Sequence, residues 1–568
     1  MRAHITIFLF LIPFSLINFS SNNSFVNAYC HGHERSLLLH LKNSLIFNSE
    51  KSSKLVQWNQ FDDDCCQWNG ITCIDGHVRS LDLSQESISG GLDGSSPLFS
   101  LQYLQSLNLA FNDFRSTIPQ ELHHLQNLTY LNLSNTGFEG QVPKEISHLK
   151  RLVYLDLSSS FTSHHNLNLE NPNIAMLVQN LTDIAELYLD GVAISASGEK
   201  WSHALSSLGG LRVLSMSSCN LSGPIDSSLA KLQSLSVLKL SHNNLSSIVP
   251  DSFTNFSNLT ILQLSSCGLN GFFPKDIFQI QTLKVLDISD NQNLNGSLPD
   301  FLPLASLHNL NLTNTNFGGP LPNTISNLKQ LSTIDLSDCQ FNGNLPNSMS
   351  ELTQLVYLDM SSNHLTGPLP SLNMSKNLAY LSLFLNDLSG DLPSWNFEGL
   401  VNLVTTDLGF NYFNGTIPSC LLKLPYLREL KLPYNQLSGF SGEFDSASSP
   451  ALEMVDLCNN NLQGHIPVAI FNLRTLRAIQ LASNKFNGVI QLDVIRRLSN
   501  LSLLVLSHNN LSIDINFRDD HDLSPFSDIR ILKLASCKIR GIPSFLRNHS
   551  TLLSLDLSSN EIEGPIPN

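Results

Sequence analysis

Leucines recur along this chain at a fixed spacing, with polar residues between them. Twenty copies of the pattern LxxLxLxxNxLxGxIP can be aligned, most of them 24 residues apart. Six consecutive copies keep that step without a slip, at Leu214, Leu238, Leu262, Leu286, Leu310 and Ile334. A period of roughly 20 to 29 residues with this spacing predicts a solenoid, because each unit can bury its apolar face only against its neighbours.

The position within the repeat predicts what each residue does. Alternate residues of the LxL segment point to opposite faces of a strand, so the leucines enter the core and the residue between them lines a concave sheet. The Asn that follows turns the chain out of the strand, and its amide pairs backbone groups that the turn leaves free. Gly-x-Ile-Pro forms the next bend, since Pro lacks an N–H donor and Gly accepts unusual dihedral angles. We therefore expect an α/β solenoid, a right-handed superhelix with one continuous parallel sheet.

The Asn position is filled in two ways. Eleven copies carry Asn there: Asn112, Asn243, Asn291, Asn363, Asn386, Asn411, Asn435, Asn460, Asn484, Asn509 and Asn560. Four copies carry a cysteine instead: Cys219, Cys267, Cys339 and Cys537. A thiol is a small and weakly polar filler, so we predict that these four cysteines are free and buried. Cys420 and Cys458 lie outside the position, and no role is predicted for them.

Three steps exceed the usual period. The step is 32 residues between Leu155 and Leu187, 27 between Leu187 and Leu214, and 28 between Leu504 and Leu532. We expect the extra residues to leave the stack as loops, at about residues 161–180 and 514–528.

The first residues are typical of a targeting signal. Arg2 precedes an apolar run, Ile5 to Ile17, that is too short to cross a bilayer. Val26 and Ala28 supply the small residues of a cleavage site, so residues 1–28 are predicted to be a signal peptide. The mature chain would then enter an oxidising compartment.

Residues 29–76 differ from the repeats and are predicted to be an N-terminal cap. A stack of repeats would otherwise expose its first apolar face, and small exported modules gain stability from disulfides. The segment carries CCQWNGITC and four cysteines, Cys30, Cys65, Cys66 and Cys73. Four cysteines allow three pairings, and their spacing does not choose among them. Residues 77–568 are assigned to about 20 repeats, with the last one incomplete because the chain ends directly after GPIP.

Charge and composition narrow the possible partners. The formal net charge is -15, which disfavours nucleic acid. No second apolar segment of about 18 residues follows the leader, so no membrane segment is predicted in this chain. Fourteen N-x-S/T sequons become glycosylation candidates after export: Asn127, Asn132, Asn180, Asn220, Asn244, Asn255, Asn258, Asn295, Asn311, Asn373, Asn414, Asn500, Asn510 and Asn548.

The sequence carries none of the common catalytic or metal-binding patterns. The chain has no GxSxG, GxGxxG, GxxxxGK or HExxH, so we predict no enzyme, no cofactor and no metal site. His31, His33 and Glu34, and the pair His164 and His165, are interpreted as exposed polar residues. Aspartates between core leucines are expected to form a solvated ladder that favours basic ligands: Asp287, Asp335, Asp359, Asp407 and Asp456.

A group of aromatic residues marks the predicted ligand site. The two outward positions after the second core leucine are mostly small or polar, but repeats 13 to 15 depart from this rule. The predicted ligand-binding residues are Tyr357, Tyr380, Phe384, Leu385, Phe410 and Tyr434. Exposed aromatics clustered on one face are common anchors of protein interfaces. The alternative is that these rings only pack on one another.

The chain carries the cap sequence CCQWNGITC, the GxIP repeats, and the segments LENPN (Leu169 to Asn173) and ELYLDGV (Glu186 to Val192). In these features it resembles plant leucine-rich-repeat receptor-like proteins, most closely the Verticillium-wilt resistance type. The resemblance implies a role in plant immunity at the outer face of the plasma membrane. It also implies that Cys30 pairs with Cys65 and Cys66 with Cys73. Full-length relatives of this kind continue into further repeats and one transmembrane helix, so the chain is expected to be an incomplete ectodomain.

The resemblance also implies partners. These are a protein or peptide ligand in the apoplast, and adaptor and co-receptor kinases if the protein is full length. An alternative function is a soluble secreted inhibitor or decoy that binds a microbial cell-wall-degrading enzyme.

Overall fold

The computed structural model describes residues 29–159, 167–442, 451–515, 529–543, 546 and 550–563. The predicted signal peptide, the pair His164 and His165, and the sequon residue Asn548 lie outside these ranges. Within them are three α-helices, which are Gly32–Ser44 (α1), Ile174–Val178 (α2) and Gly198–Leu205 (α3).

Parallel strands form one ladder along the concave side of the described chain. There are twenty of them, which we number as rungs 1 to 20: His77–Asp82, Ser106–Asn108, Tyr130–Asn132, Tyr154–Asp156, Glu186–Tyr188, Val213–Ser215, Val237–Lys239, Ile261–Gln263, Val285–Asp287, Asn309–Asn311, Thr333–Asp335, Tyr357–Asp359, Tyr380–Ser382, Thr405–Asp407, Glu429–Lys431, Met454–Asp456, Ala478–Gln480, Leu503–Val505, Ile531–Lys533 and Ser554–Asp556. Successive rungs pair in register, so that Leu214 of rung 6 lies opposite Leu238 of rung 7. One repeat position therefore stays on one face, and the predicted solenoid with its parallel sheet is confirmed.

Shorter strands lie on a second side of the solenoid. They are Gly140–Gln141, Leu167–Asn168, Asn270–Phe272, Asn291–Gly296, Thr315–Gly319, Gln340–Asn344, His364–Gly367, Asp387–Gly390, Tyr412–Phe413, Thr416–Pro418, Gly439–Ser441, Gln463–Gly464, Lys485–Gln491 and Asn510–Asp514. The Gly of the GxIP sequence starts this turn with a left-handed backbone, as at Gly343 with φ 72°.

Short 3₁₀ helices complete the turns. They are Leu55–Gln57, Cys65–Gln67, Pro97–Ser100, Gln120–His124, Lys144–His148, Ser227–Lys231, Asp251–Asn255, Lys275–Gln279, Asn323–Asn327, Asn347–Glu351, Ser394–Asn396, Ser419–Lys423, Val468–Asn472 and Leu492–Arg497. The proline of GxIP directly precedes most of them, as Pro274 precedes Lys275. Proline is suited to this place because a helix start needs no N–H donor there.

Asparagines of the repeat connect neighbouring rungs inside the core. Asn243 is buried, and its amide nitrogen donates to the carbonyl oxygens of Met216 at 2.8 Å and Leu240 at 2.7 Å. Its amide oxygen accepts from the backbone N–H groups of Cys219 and Leu221, both at 3.0 Å. One side chain thus pairs four backbone groups of two rungs, which is why the repeat requires Asn at the turn.

Four cysteines replace this asparagine, and the prediction that they are free and buried is confirmed. The Cys219 thiol lies 3.0 Å from the carbonyl oxygen of Leu189, and the Cys267 thiol lies 3.1 Å from that of Leu240. Each thiol takes over one of the bonds that the asparagine amide would donate. Cys420 and Cys458 are also free and are half-buried.

Two disulfides close the N-terminal segment, Cys30 to Cys65 and Cys66 to Cys73, as the resemblance implied. The strand Ile71–Ile74 pairs antiparallel with rung 1, and Ile46–Phe47 pairs antiparallel with Ile88–Gly90. The segment therefore covers the first rung of the stack.

Two buried glutamates attach this segment to the repeats. Glu86 accepts hydrogen bonds from the backbone N–H groups of Ser53, Lys54 and Leu55. Glu34 accepts from the backbone N–H of Val78 at 2.6 Å. The interpretation of Glu34 as an exposed polar residue was therefore wrong, because its carboxylate pairs a backbone group that the cap would otherwise bury alone. His31 and His33 are exposed as expected.

The long insertion before rung 5 is not wholly a loop, contrary to our expectation. Leu167–Asn168 pairs with Gly140–Gln141, and α2 packs between the 3₁₀ helix Lys144–His148 and α3. Leu169, Ile174 and Leu177 are buried. Apolar residues of the insertion extend the core, which holds residues 167–178 in the stack.

Candidate functional site

The backbone has an unusual conformation at the position just before the ladder asparagine. In rung after rung this residue is left-handed, with φ 55° at Ser218, 58° at His242 and 55° at Asp290. Small polar residues tolerate that conformation, whereas bulky ones are strained in it. Rungs 13 to 15 nevertheless place bulky apolar residues there, namely Leu385, Phe410 and Tyr434, with φ of 56°, 55° and 54°.

These three residues form the exposed part of the predicted site. Leu385 is 48% exposed, Phe410 37% and Tyr434 49%. The Phe410 ring stacks on Tyr434, with centroids 4.1 Å apart and planes at 23°, and it meets Phe384 edge-on at 5.1 Å. The structure thus brings Phe384, Leu385, Phe410 and Tyr434 together on adjacent rungs. We call these four residues the aromatic patch.

Tyr357 and Tyr380 lie beside the patch on rungs 12 and 13. Their rings stack at 4.6 Å with planes at 6°, and both hydroxyls point to Asp359, at 3.5 Å and 3.4 Å. Burial and the nearby charge of Asp335 raise the pKa of Asp359 to about 6. Burial also raises the pKa of both tyrosines. These rings are half-buried, so they support the carboxylate more than they face the solvent.

The aspartate ladder is only partly solvated: Asp359 is buried, whereas Asp287, Asp335, Asp407 and Asp456 are half-buried. Burial raises the pKa of Asp287, Asp407 and Asp456 as well as that of Asp359. The reason is local: each carboxylate turns back to accept a bond from the residue two positions later, as Asp287 does from the Ser289 hydroxyl at 2.7 Å. These carboxylates therefore hold the turn that ends each strand.

The rim of the patch carries opposite charges that pair with each other. Lys431 forms an ion pair with Glu429 at 2.5 Å, and Arg428 lies 3.9 Å from Glu453. Glu453 also pairs with Arg477, at 3.5 Å. The rim is therefore close to neutral, and the apolar rings are its distinguishing feature.

A second group of aromatic residues on the concave sheet was missed from the sequence. Tyr130, Tyr154 and Tyr188 stand on rungs 3 to 5, with ring centroids 4.3 Å and 5.4 Å apart in succession. The signal was present, since YLN and YLD recur 24 residues apart at residues 130–132 and 154–156.

Potential metal ligands come together at one place in the part of the chain described. The one group of three potential metal ligands there is Cys30, Cys65 and Cys66, whose sulfurs are already committed to disulfides. No helix in the described ranges is long and apolar enough to span a bilayer.

The sequon asparagines differ in exposure. Seven are exposed: Asn220, Asn244, Asn255, Asn258, Asn414, Asn500 and Asn510. Six are half-buried: Asn127, Asn132, Asn180, Asn295, Asn311 and Asn373. Asn132 and Asn311 lie in rungs 3 and 10, on the concave sheet itself. Glycan occupancy stays a prediction.

The family models place the chain in a class. A model described as leucine-rich repeat region matches residues 76–274 and 272–509, and one described as leucine rich repeat N-terminal domain matches residues 31–74. A third, described as leucine rich repeat, matches residues 548–566. The chain belongs to the leucine-rich-repeat family.

Among curated proteins, the chain is similar to receptor-like proteins of Arabidopsis thaliana. Receptor-like protein 6 is 32% identical over 340 residues, which cover 54% of this chain and 28% of that protein. Receptor-like protein 7 is 42% identical over 117 residues, covering 20% of this chain and 11% of that protein. The matched segments thus span less than a third of these relatives. The resemblance to plant receptor-like proteins is confirmed, and the Verticillium-wilt type stays a prediction.

Solved ectodomains show the same architecture. The Arabidopsis receptor kinase HAESA, in complex with the peptide hormone IDA and the co-receptor SERK1, is 29% identical with a TM-score of 0.81, covering 93% of this chain and 90% of that one. The ectodomain of GASSHO1/SCHENGEN3 from Arabidopsis thaliana, in complex with CASPARIAN STRIP INTEGRITY FACTOR 2, is 25% identical with a TM-score of 0.64, covering 94% of this chain and 74% of that one.

Proposed function

We propose that this chain is the extracellular recognition region of a plant cell-surface immune receptor-like protein, and that the aromatic patch binds its ligand. The proposal rests on the position just before the ladder asparagine, where the backbone is left-handed. Leu385, Phe410 and Tyr434 occupy this strained position and remain exposed. A single bulky residue also occupies this position at Phe111 on rung 2, but three such residues on adjacent rungs, which gain little burial in return, suggest a role outside folding.

The geometry of the rings favours a protein or peptide ligand. Phe410 has two ring neighbours: Tyr434 stacks on it and Phe384 meets it edge-on, so the face against Tyr434 is closed to a ligand. A sugar ring stacks on an open aromatic face, whereas the apolar side chains of a protein fit against ring edges and the Leu385 side chain. The patch is therefore better suited to an apolar anchor residue than to an oligosaccharide.

The comparisons support the wider role. The HAESA ectodomain resembles this chain over most of its length, and that protein is in complex with a peptide hormone and a co-receptor. By analogy, our proposal places the chain at the outer face of the plasma membrane when it is part of a full-length receptor. It would sense a pathogen-derived or apoplastic ligand without catalysis and signal through partner kinases.

The test is a binding comparison between the parent protein and a triple variant, Phe384→Ser, Phe410→Ser and Tyr434→Ser. Serine is the residue common at these positions elsewhere in the repeat. Fractions of apoplastic fluid and of pathogen culture filtrate are passed over each immobilised protein, and the retained component is identified and titrated. Hot-spot truncations cost about 2 kcal/mol or more each, so we expect the triple variant to bind more than tenfold more weakly.

Phe111→Ser is the matched control. Phe111 occupies the same repeat position on rung 2, with φ 57°, and is 56% exposed. We expect this variant to retain the component as the parent does. A triple variant that is secreted, folded and unchanged in binding would show that the rings only pack on one another.

The second candidate, a soluble inhibitor or decoy of a microbial cell-wall-degrading enzyme, is separated by a different measurement. The retained component is assayed for hydrolysis of cell-wall polysaccharide with and without the chain. Stoichiometric inhibition would favour that function over sensing.

A further inference from the structure

The three tyrosines on rungs 3 to 5 form a surface that the proposed function does not use. Tyr130 and Tyr154 stack at 4.3 Å with planes at 15°, and Tyr188 continues the column at 5.4 Å from Tyr154. All three are only half-buried. Their centre on rung 4 lies ten rungs, or roughly 48 Å, from the centre of the aromatic patch on rung 14 at the usual strand spacing.

A carboxylate stands within this column. Asp156 is 8% exposed, and its Oδ1 accepts from the Ser158 hydroxyl at 2.6 Å. Its second oxygen, Oδ2, faces the Tyr154 hydroxyl at 3.3 Å. The column thus combines ring edges, a phenol hydroxyl and a carboxylate oxygen at one place on the concave sheet.

Rung 5 adds two more carboxylates in succession. Glu186 accepts from the Tyr188 hydroxyl at 3.1 Å. Asp190 accepts from the Ser215 hydroxyl at 2.7 Å and from the Ser217 N–H at 2.5 Å. Glu186 and Asp190 occupy outward positions of the segment ELYLDGV. The repeat pattern itself does not require acidic residues at these positions.

The positive charge in the surrounding described residues does not balance these groups. Arg212 pairs with Glu186 at 3.4 Å, and its side chain is 58% exposed. No ion pair to Asp156 is present in the described ranges. Burial raises the pKa of Asp156 to about 6, which is what an uncompensated carboxylate shows.

The same construction occurs beside the aromatic patch, where Tyr357 and Tyr380 stack next to Asp359. Two independent places on the ladder therefore combine a tyrosine pair with a buried aspartate.

We propose that rungs 3 to 5 form a second binding subsite, centred on Asp156, Tyr154 and Tyr188, that takes a guanidinium or primary ammonium group of a ligand. The cation bonds to Asp156 Oδ2, its donors also reach the phenol oxygens, and the ring edges pack against the aliphatic stem that carries the charge. A metal ion fits less well, because within the described chain no three donor atoms of His, Cys, Asp or Glu outside the cap lie close enough to hold one. This subsite is distinct from the aromatic patch and does not depend on it.

The test uses two capped tripeptides that differ only in charge, acetyl-Gly-Arg-Gly-amide and acetyl-Gly-citrulline-Gly-amide. Each is titrated against the full secreted chain at low salt and pH 7 by ligand-observed NMR. Loss of a charge-assisted hydrogen bond costs about tenfold in affinity, so we expect the arginine peptide to bind about tenfold more tightly. Asp156→Asn should remove that preference, and Asp190→Asn should reduce it in a protein that keeps Asp156.

The matched control is Asp556→Asn, which removes the same charge from the same repeat position on rung 20, where the carboxylate is more exposed. This variant and the triple aromatic-patch variant should keep the preference. If Asp556→Asn loses it as Asp156→Asn does, the peptide binds by net charge alone and the proposal is wrong. Equal affinities for the two peptides in the parent would also overturn it.

The sequon residue Asn132 adds a condition, because its side chain donates to the Tyr130 hydroxyl at 3.3 Å. A glycan there would cover the subsite. The titration is therefore repeated with Asn132→Gln, and we expect the same preference as in the parent. A preference that appears only after this substitution would refute the subsite for the secreted protein.

Discussion

Phe410 and Tyr434 stack at 4.1 Å from adjacent rungs although the backbone of both is left-handed. A bulky residue in that conformation costs roughly 1 to 2 kcal/mol, and an aromatic pair contributes about 0.5 to 1.5 kcal/mol. The two effects are of similar size and opposite sign. Folding therefore gains little from these rings, and what they present to the solvent matters more.

The balance can be measured by replacing single rings with Asn, which tolerates the left-handed backbone. We expect Phe111→Asn to raise the denaturant midpoint, because no other ring stacks on Phe111 in the described structure. Tyr434→Asn should change the midpoint less, since relief of strain is offset by the lost contact with Phe410. Equal stabilisation by the two substitutions would show that the stacked pair contributes nothing.

A substitution in the asparagine ladder should have a large effect on stability. Asn243→Ala leaves three buried backbone groups without a partner, namely the Met216 carbonyl and the N–H groups of Cys219 and Leu221, because the Leu240 carbonyl still accepts from the Cys267 thiol. Each such group costs about 1 to 3 kcal/mol. We expect destabilisation of at least about 3 kcal/mol and a lower secreted yield. Asn560→Ala is the control, because Asn560 is half-exposed and water can replace its bonds. Similar losses for both variants would contradict the role of burial.

The pH dependence of stability should report the buried aspartates. The pKa of Asp359 is raised to about 6 by burial and by Asp335, so between about pH 4 and pH 6 the folded chain binds more protons than the unfolded chain. Stability therefore falls as the pH rises through this window, by at most roughly 3 kcal/mol for this group. We expect Asp359→Asn to flatten the fall in melting temperature between pH 4 and pH 7.

The opposite sign is expected at Asp556, whose pKa is lowered by hydrogen bonds from Ser558. Its contribution is present at neutral pH and is lost as the pH falls through the folded pKa. Asp556→Asn should therefore weaken the chain at pH 7 relative to low pH. For the Asp359 prediction, a melting temperature that depends more steeply on pH in Asp359→Asn than in the parent would contradict the raised pKa.

The six free thiols should react slowly in the native protein. Burial raises the pKa of Cys420 to about 11 and that of Cys458 to about 12, so thiolate is scarce at pH 8. We expect alkylation of these two cysteines to be on the order of a hundredfold slower than that of a free cysteine. Cys219, Cys267, Cys339 and Cys537 should remain unlabelled until the chain is denatured, as read by peptide mass mapping. Rapid native labelling of Cys219 would show that it does not occupy the ladder position.

The periodic part of the fold could be predicted from the sequence because one residue position has one environment throughout the stack. Leu214 and Leu238 face each other across rungs as their spacing requires, and the four ladder cysteines are buried as predicted. The departures arise where residues act outside the repeat. Glu34 is buried because it pairs a backbone group 44 residues away, and that contact has no periodic signal.

The sequence predicted which residues form the candidate site, but it did not predict their backbone conformation. The run of Phe384, Phe410 and Tyr434 stands out against the serines of other repeats. The left-handed conformation of Phe410 follows from the turn into the ladder asparagine, which sequence spacing does not specify. The burial of Asp359 also depends on Tyr357 of its own rung and Tyr380 of the next rung, whose hydroxyls both donate to its carboxylate.

The asparagine ladder has a consequence for how this protein can change over generations. Each ladder asparagine connects its rung to the preceding one through hydrogen bonds to backbone groups. The outward side chains take no part in those hydrogen bonds. A single nucleotide change in the codon of an outward-facing residue can therefore alter what the surface recognises and leave these hydrogen bonds intact. Lineages carrying this architecture can change the recognised surface one residue at a time without first losing the fold.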